Sequence, residues 1–187
     1  MSSSLRRYTI TCLPREKRAG LCNTTCLRIT LKSIDFDSNL TPDIMASSIP
    51  VILCGRTEGI GAGVIEALKP EIEVIHFILT PEAGKNQIPA LLKGDKNVLS
   101  DSGLGSKNYE RTAEALLLGA GYSEEEIEEM REASKEVKGV PWLRPDTEKP
   151  APPLGPEYGK ALVARIKETM NGLAEKGEMG QDAVVWY

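Results

Sequence analysis

The sequence is poor in the residues that most often carry chemistry. It contains one histidine, His76, and four cysteines, Cys12, Cys22, Cys26 and Cys54. Cys22 and Cys26 are one residue further apart than in the commonest zinc-binding spacing, so we predict no metal site. We expect free thiols in a reducing compartment. His76 lies in the apolar stretch "EVIHFIL", which favours a core position over a role as a base or a ligand.

Long apolar runs and a basic surface are also missing. No apolar stretch approaches the ~20 residues that a membrane-spanning helix needs, so we predict no membrane segment. Residues 1–44 hold seven basic and four acidic residues, a net charge of +3, whereas the chain from Met45 onward holds 16 basic and 23 acidic residues, a net charge of −7. Nucleic-acid binding requires a basic face, so we predict no nucleic-acid partner.

Residues 1–44 are predicted to be a basic, disordered extension, because their apolar residues follow no consistent helical period. Two interpretations of this segment remain open. A basic, Ser-rich and acid-poor composition is typical of a mitochondrial targeting segment. Alternatively, the folded part begins near Met45 and the extension is dispensable. We favour the second interpretation and a cytoplasmic location, with a mitochondrial location as the alternative.

From Met45 onward, predicted strands alternate with predicted helices. The predicted strands are "PVILCG", "EVIHFIL", "EALLLG" and "GVPWL", and the tail "DAVVWY" is either an extra edge strand or a segment that docks a partner. Alternation of this kind predicts parallel strands with right-handed crossovers and helices on both faces of the sheet. The fold class is therefore α/β: residues 45–187 form one small, doubly wound, Rossmann-like domain with a mainly parallel sheet of four to five strands.

Helical patterns follow each predicted strand. The first helix starts near Ile60 and has an apolar stripe of Ile60, Val64, Ile65 and Leu68, and the second is the short "NQIPALLKG" after a loop "TPEAGK". Residues 94–112 are predicted to be a surface loop. The third helix begins at Ser123, where Glu126 completes a capping box. The fourth carries the stripe Tyr158, Leu162, Ile166 and Met170, together with Val163 and Leu173.

The turn "GRTEGIG" after the first strand is the most informative stretch of the sequence. Ligands bind at the carboxyl ends of the strands in a parallel α/β sheet. Gly55 permits a tight exit from the strand, Gly59 lets a pyrophosphate approach the backbone, and Gly61 allows close packing where the helix begins. The candidate cofactor-binding residues are Gly55, Arg56, Thr57, Gly59, Ile60 and Gly61.

The spacing G-x-x-x-G-x-G in "CGRTEGIG" resembles the nucleotide fingerprint of the short-chain dehydrogenases/reductases. The resemblance implies NAD or NADP as the cofactor. Residues 45–187 also resemble a group of small fungal proteins with Rossmann-like folds, which implies a fold but no mechanism. The dehydrogenases use a tyrosine followed four residues later by a lysine. No tyrosine of this chain has a lysine at that distance, so their hydride-transfer chemistry is not implied and the catalytic residues stay unassigned.

Two charged residues of the glycine turn have alternative interpretations. Arg56 could contact a 2′-phosphate, which would favour NADP, while Glu58 would lie near the bound phosphate. The two side chains could instead pair with each other. A second turn, "GAGYSEEE", is predicted to be a capped helix start, because its three glutamates would repel a phosphate. Gly119, Gly121 and Tyr122 could line the cleft, and Arg144 and Asp146 could form its rim.

Two functions from different classes follow from these patterns. The first is a nucleotide-binding protein, which is either an oxidoreductase with atypical catalytic residues or a non-catalytic sensor. The second is a protein-interaction module that keeps the fold without the ligand and uses the acidic third helix and the "VVWY" tail as contact surfaces. The same tail could join copies of the chain into a homo-oligomer.

Overall fold

Five parallel strands form the centre of a computed structural model in which residues 48–150, 152 and 156–187 are described. The strands are β1 (Ile49–Cys54), β2 (Ile72–Ile78), β3 (Ala115–Leu118), β4 (Trp142–Arg144) and β5 (Val184–Trp186). Their order in the sheet is β2-β1-β3-β4-β5. The predicted extension, residues 1–44, and its three cysteines lie outside the described residues.

The central strands are apolar because helices cover both of their faces. All four residues of β3 are buried, and five of the six residues of β1 are buried. Side chains alternate between the two faces of a strand, so a strand covered on both sides needs a continuous apolar run rather than an alternating one. The predicted α/β fold class, with a parallel sheet and helices on both faces, is confirmed.

Four helices are described, and they form two pairs. They are α1 (Glu58–Leu68), α2 (Pro81–Leu92), α3 (Glu124–Ser134) and α4 (Pro156–Lys176). Helices α1 and α4 pack on one face of the sheet, around Leu53, Phe77 and Leu117. Helices α2 and α3 pack on the other face, around Ile52, Leu116 and Trp142. No helix in the described part of the chain is long and apolar enough to cross a membrane.

The crossover through α4 differs in hand from the other three. The connection from β1 to β2 runs toward one edge of the sheet, and the connection from β4 to β5 runs toward the other edge. Their helices, α1 and α4, nevertheless lie on the same face of the sheet. With all strands parallel, these two crossovers must have opposite hands. The other crossovers share the usual right-handed sense, so β4-α4-β5 is left-handed. The expectation of right-handed crossovers throughout was wrong for this one connection.

Two helix predictions need correction. Helix α2 begins at Pro81, not near Asn86, because the Thr80 hydroxyl caps it by accepting the Ala83 N–H at 3.2 Å and proline suits the first helical position. The stretch "TPEAGK" is therefore the first turn of this helix rather than a loop. Ile60 was placed on the buried stripe of α1, but its side chain is 70% exposed. The buried residues of α1 are Gly61 and Leu68.

Residues 94–112 contain no helix or strand, yet part of this segment is tightly bound to the sheet. The Ser106 and Lys107 N–H groups donate to the carbonyls of Val74 and Ile75 at 2.9 and 3.0 Å. This pairing covers the outer edge of β2, which would otherwise expose unpaired backbone groups. Gly105 has a φ of +92°, and a Cβ there would lie 2.9 Å from the Ile75 carbonyl oxygen, so this close approach requires glycine.

Candidate functional site

Two strand-glycine-helix turns lie side by side at the carboxyl edge of the sheet. The first turn connects β1 to α1 and the second connects β3 to α3, and β1 and β3 are neighbours. The Gly119 N–H donates to the Cys54 carbonyl at 2.9 Å. A Cβ on Gly119 would lie 3.3 Å from the same oxygen, so a glycine lets the two turns approach closely. The chain diverges to opposite sides between β1 and β3, which is where open α/β sheets bind ligands.

The glycines of the first turn have different physical roles. A Cβ on Gly61 would lie 2.5 Å from the Phe77 ring, so glycine is needed for α1 to pack on β2, as predicted. A Cβ on Gly55 would lie 3.1 Å from the same ring. A Cβ on Gly59 would meet no atom within 4 Å. The packing of the described residues therefore explains Gly55 and Gly61, but it places no demand on Gly59.

The N-terminus of α1 is left uncapped by side chains. Its N-cap residue, Thr57, makes no side-chain capping hydrogen bond. The first N–H group to find a partner inside the helix is that of Gly61, which donates to the Thr57 carbonyl at 3.0 Å. The N–H groups of Glu58, Gly59 and Ile60 precede it and have no partner within the helix. Their combined dipole favours an anion.

A cleft of about 300 Å³ opens at this turn, between α1 and α4. Five of the six candidate residues line it, namely Gly55, Arg56, Thr57, Ile60 and Gly61, whereas Gly59 lies beside it in the first turn of α1. Gly119 and Gly121 of the second turn also line it, as the sequence suggested. The structure thus brings the predicted residues together around one cavity.

Sequence reasoning missed the far wall of the cleft. Tyr158, Leu162 and Ile166 of α4 line it, and so does Tyr187, whose hydroxyl donates to the Leu118 carbonyl at 2.9 Å. The four-residue spacing of the α4 residues marked them as one side of a helix. That spacing is the same for a side that faces a core and a side that faces a cavity. Apolar and aromatic side chains give the cleft the lining typical of a small-molecule site.

Arg56 and Glu58 have separate partners in the structure. Arg56 pairs with Glu126 of α3, with its Nη2 2.6 Å from both carboxylate oxygens, and its Nε donates to the Gly121 carbonyl at 3.0 Å. The guanidinium also lies 4.6 Å from the centre of the Tyr122 ring. Glu58 accepts a hydrogen bond from the Ser102 hydroxyl at 2.5 Å. The idea that the two pair with each other was therefore wrong.

The second turn is closed by its own side chains. Ser123 accepts from the Glu126 N–H at 3.2 Å while the Glu126 carboxylate accepts from the Ser123 N–H at 2.9 Å, which is the predicted capping box. Glu124 forms a bidentate pair with Arg144, which stacks 4.2 Å from the Trp186 ring centre. Between these residues lies a smaller cavity of about 110 Å³, which Tyr122 and Arg144 help to line. Asp146 is not among its lining residues.

The buried titratable groups near the cleft are in unreactive states. Burial raises the pKa of the Cys54 thiol to about 12, so it stays protonated and is a poor nucleophile. His76 is fully buried, as predicted, with Nδ1 2.7 Å from the Tyr109 hydroxyl and Nε2 2.8 Å from Gln87 Oε1. Burial lowers its pKa, which keeps the ring neutral at pH 7. The described residues hold no group of three or more metal-binding side chains.

Comparison with known proteins identifies a fungal relative. No protein-family model matches the chain. No solved structure matches it either. The chain is 38% identical over 142 residues to kojic acid related protein 6 of Aspergillus oryzae, and the alignment covers 74% of this chain and 86% of that protein. An identity of this size over most of both chains shows common descent. The chain belongs to the family of kojic acid related protein 6.

Proposed function

We propose that the protein binds a nucleotide in the cleft between α1 and α4, with a phosphate group at the N-terminus of α1. NAD or NADP is the ligand that the glycine turn favours. The observation that carries the proposal is the uncapped first turn of α1 beside a cavity of about 300 Å³. Side chains cap the first turns of α2 and α3. Helix α1 instead leaves its N–H groups for another acceptor.

The charges around the turn are compatible with an anion. Glu58 was the main objection, because a carboxylate in the first turn would repel a phosphate. Its carboxylate is held by Ser102, in the loop beside β2, and Glu58 does not line the cleft. The Glu126 carboxylate is neutralised by Arg56. No aspartate or glutamate is among the described residues that line the cleft.

The proposal is one of binding, with no catalytic step assigned. Cys54 stays protonated, and the Tyr187 hydroxyl is committed to a backbone carbonyl. Burial raises the pKa of Tyr187, so its phenol is not a proton acceptor at neutral pH.

Thermal unfolding with a ligand panel tests the proposal directly. NAD, NADP, FAD and ATP are compared at saturating concentration, and kojic acid is included because the relative's name refers to it. A ligand at about 100 times its Kd stabilises the native state by roughly 2.7 kcal/mol. For a domain of this size the melting temperature should rise by roughly 5–10 °C. If none of the nucleotides raises it, the nucleotide proposal fails and the interaction-module alternative takes its place.

Gly59→Val tests whether the phosphate of a bound nucleotide lies at the N-terminus of α1. The added side chain meets no protein atom within 4 Å, but it stands beside the N–H groups that the phosphate would approach. We expect at least a tenfold loss of affinity by calorimetry, about 1.4 kcal/mol, with an unchanged melting temperature for the free protein.

Gly63→Val is the matched control for this experiment. Gly63 is also an exposed glycine of α1, a Cβ there also meets nothing within 4 Å, and it does not line the cleft. The control should bind with wild-type affinity. Equal losses in both variants would show that a change in α1 itself, rather than a blocked phosphate, weakens binding.

The interaction-module alternative is less favoured by the charges of α3. Glu124, Glu126 and Glu129 pair with Arg144, Arg56 and Lys85. These pairs neutralise much of the acidic surface that was expected to attract a partner. The tail is β5, an edge strand of the chain's own sheet, as one of the two predictions for it stated.

A further inference from the structure

The carboxyl edge of the sheet has one place where the chain reverses direction, between β1 and β3. A dinucleotide fold is built from two mononucleotide-binding halves that meet at such a point. The order β2-β1-β3-β4-β5 supplies one uncapped glycine turn there, the turn from Gly55 to Gly61. The turn that would serve a second half is the one between β3 and α3.

The helix that follows that second turn is capped by its own side chains. Ser123 and Glu126 cap each other, and Glu124, in the same first helical turn, forms a bidentate pair with Arg144. A second phosphate there would approach these carboxylates, which disfavour an anion. It would also enter a cavity of only about 110 Å³.

Gly119 and Ala120 of the second turn line both cavities. The Arg56 side chain lines the larger cleft, while its guanidinium covers Tyr122, which lines the smaller cavity. A Cβ on Gly121 would lie 2.7 Å from Arg56 Cγ, so the arginine lies directly against the second turn. Its bond to Glu126 holds it there. The larger cleft alone, at about 300 Å³, is at the small end of the range for ligand pockets.

We propose that the cleft takes a single nucleotide, whose phosphate lies at the N-terminus of α1 and whose ring lies between α1 and α4. This inference rests on the proposed nucleotide site and narrows its ligand to a mononucleotide unit. The ring contacts Tyr158, Leu162 and Ile166 on one side and Ile60 on the other. The other half of a dinucleotide lies outside the cleft and adds little to the binding.

Calorimetric titrations that compare mononucleotides with the dinucleotides containing them test this inference. AMP, nicotinamide mononucleotide and FMN are compared with NAD and FAD, which contain them, at one salt concentration. We expect at least one mononucleotide to bind within about fivefold of the Kd of its dinucleotide. Adenosine is the control for the phosphate, and it should bind at least tenfold more weakly than AMP if AMP is the half that binds. Gly59→Val should remove mononucleotide binding, whereas Gly63→Val should preserve it.

Each remaining outcome contradicts a defined statement. A dinucleotide that binds more than about fivefold tighter than both of its halves overturns the single-nucleotide inference but leaves the nucleotide site intact. If AMP is the half that binds, equal affinity for AMP and adenosine overturns the placement of the phosphate at α1. The absence of binding by every nucleotide overturns the proposed function itself and this inference with it.

Discussion

The two glycine turns at the edge of the sheet begin alike and end with opposite properties. Each follows a buried strand, contains glycines, and leads into a helix with a glutamate in its first turn. In the second turn, Ser123 caps α3 and arginines pair with two of the three glutamates, Glu124 and Glu126. In the first, Thr57 makes no capping bond and Glu58 is bound elsewhere, beside an open cleft. The two turns therefore differ in whether a side chain caps the helix that follows them.

The largest expected loss of stability is that of Gly61→Val, and it tests whether Phe77 fixes the first turn. In Gly61→Val, the new side chain would overlap the ring of Phe77, which is fully buried. Overpacking of this kind costs about 3 kcal/mol. Urea unfolding should show that loss for Gly61→Val and almost none for Gly63→Val. Wild-type stability in Gly61→Val would mean that the turn is not fixed by Phe77.

The next effect compares the two helix N-termini directly. Removing the Ser123 hydroxyl in Ser123→Ala breaks an observed capping bond, which should cost about 1 kcal/mol. Thr57→Ala removes no capping bond and should cost only about 0.3 kcal/mol. Urea unfolding of both variants gives the difference. Equal losses would show that Thr57 caps α1 in solution and would remove the main argument for an anion site.

Arg56→Ala tests the contact of Arg56 with the second turn. Because the guanidinium is bound to Glu126 and Gly121, we expect a stability loss smaller than that of Ser123→Ala. The affinities for NAD and NADP should change by the same factor. If Arg56 contacts a 2′-phosphate instead, NADP alone should lose about 1–3 kcal/mol of binding. Parallel calorimetric titrations with the two cofactors separate the two results.

The smallest expected effect is on how the stability of the protein depends on pH through Glu126 of the second turn. The Arg56 hydrogen bond lowers the pKa of Glu126 below its ordinary value of 4.5. A carboxyl whose pKa is lower in the folded state stabilises that state above pH 4.5, and the stabilisation is lost as the pH falls through the folded pKa. Glu126→Gln should therefore flatten the stability curve below about pH 4.5. Arg56→Ala should flatten it in the same way, and an unchanged slope would contradict the pairing.

Local features were predicted well because they depend on neighbours in the chain. The capping box of Ser123 and Glu126, for example, spans only three residues along the chain. The start of α2 was missed although its signals, Thr80 and Pro81, stand in the sequence. A stretch with glycine and a charged residue was interpreted as a loop, whereas the capping threonine decides the structure.

Features that depend on contacts between residues far apart in the chain could not be predicted from the sequence. The spacing of Ile60 with Val64 places them on one side of α1, but it cannot show that Ile60 faces a cavity. The pairing of Arg56 with Glu126 joins residues 70 positions apart. Charge patterns along the chain favoured Glu58 as the nearer partner, while the pairing of β1 with β3 brought the start of α3, and Glu126 with it, beside Arg56.

The alternation of apolar runs and amphipathic segments fixed the α/β class, the parallel sheet and the position of the glycine turn at its edge, because these follow from periodicity and chain connectivity. The face that α4 covers was decided only by tertiary packing. Both faces of the sheet are apolar, and α4 has one apolar stripe that could pack on either. Its left-handed crossover places it beside α1, and this placement gives the glycine turn a cleft.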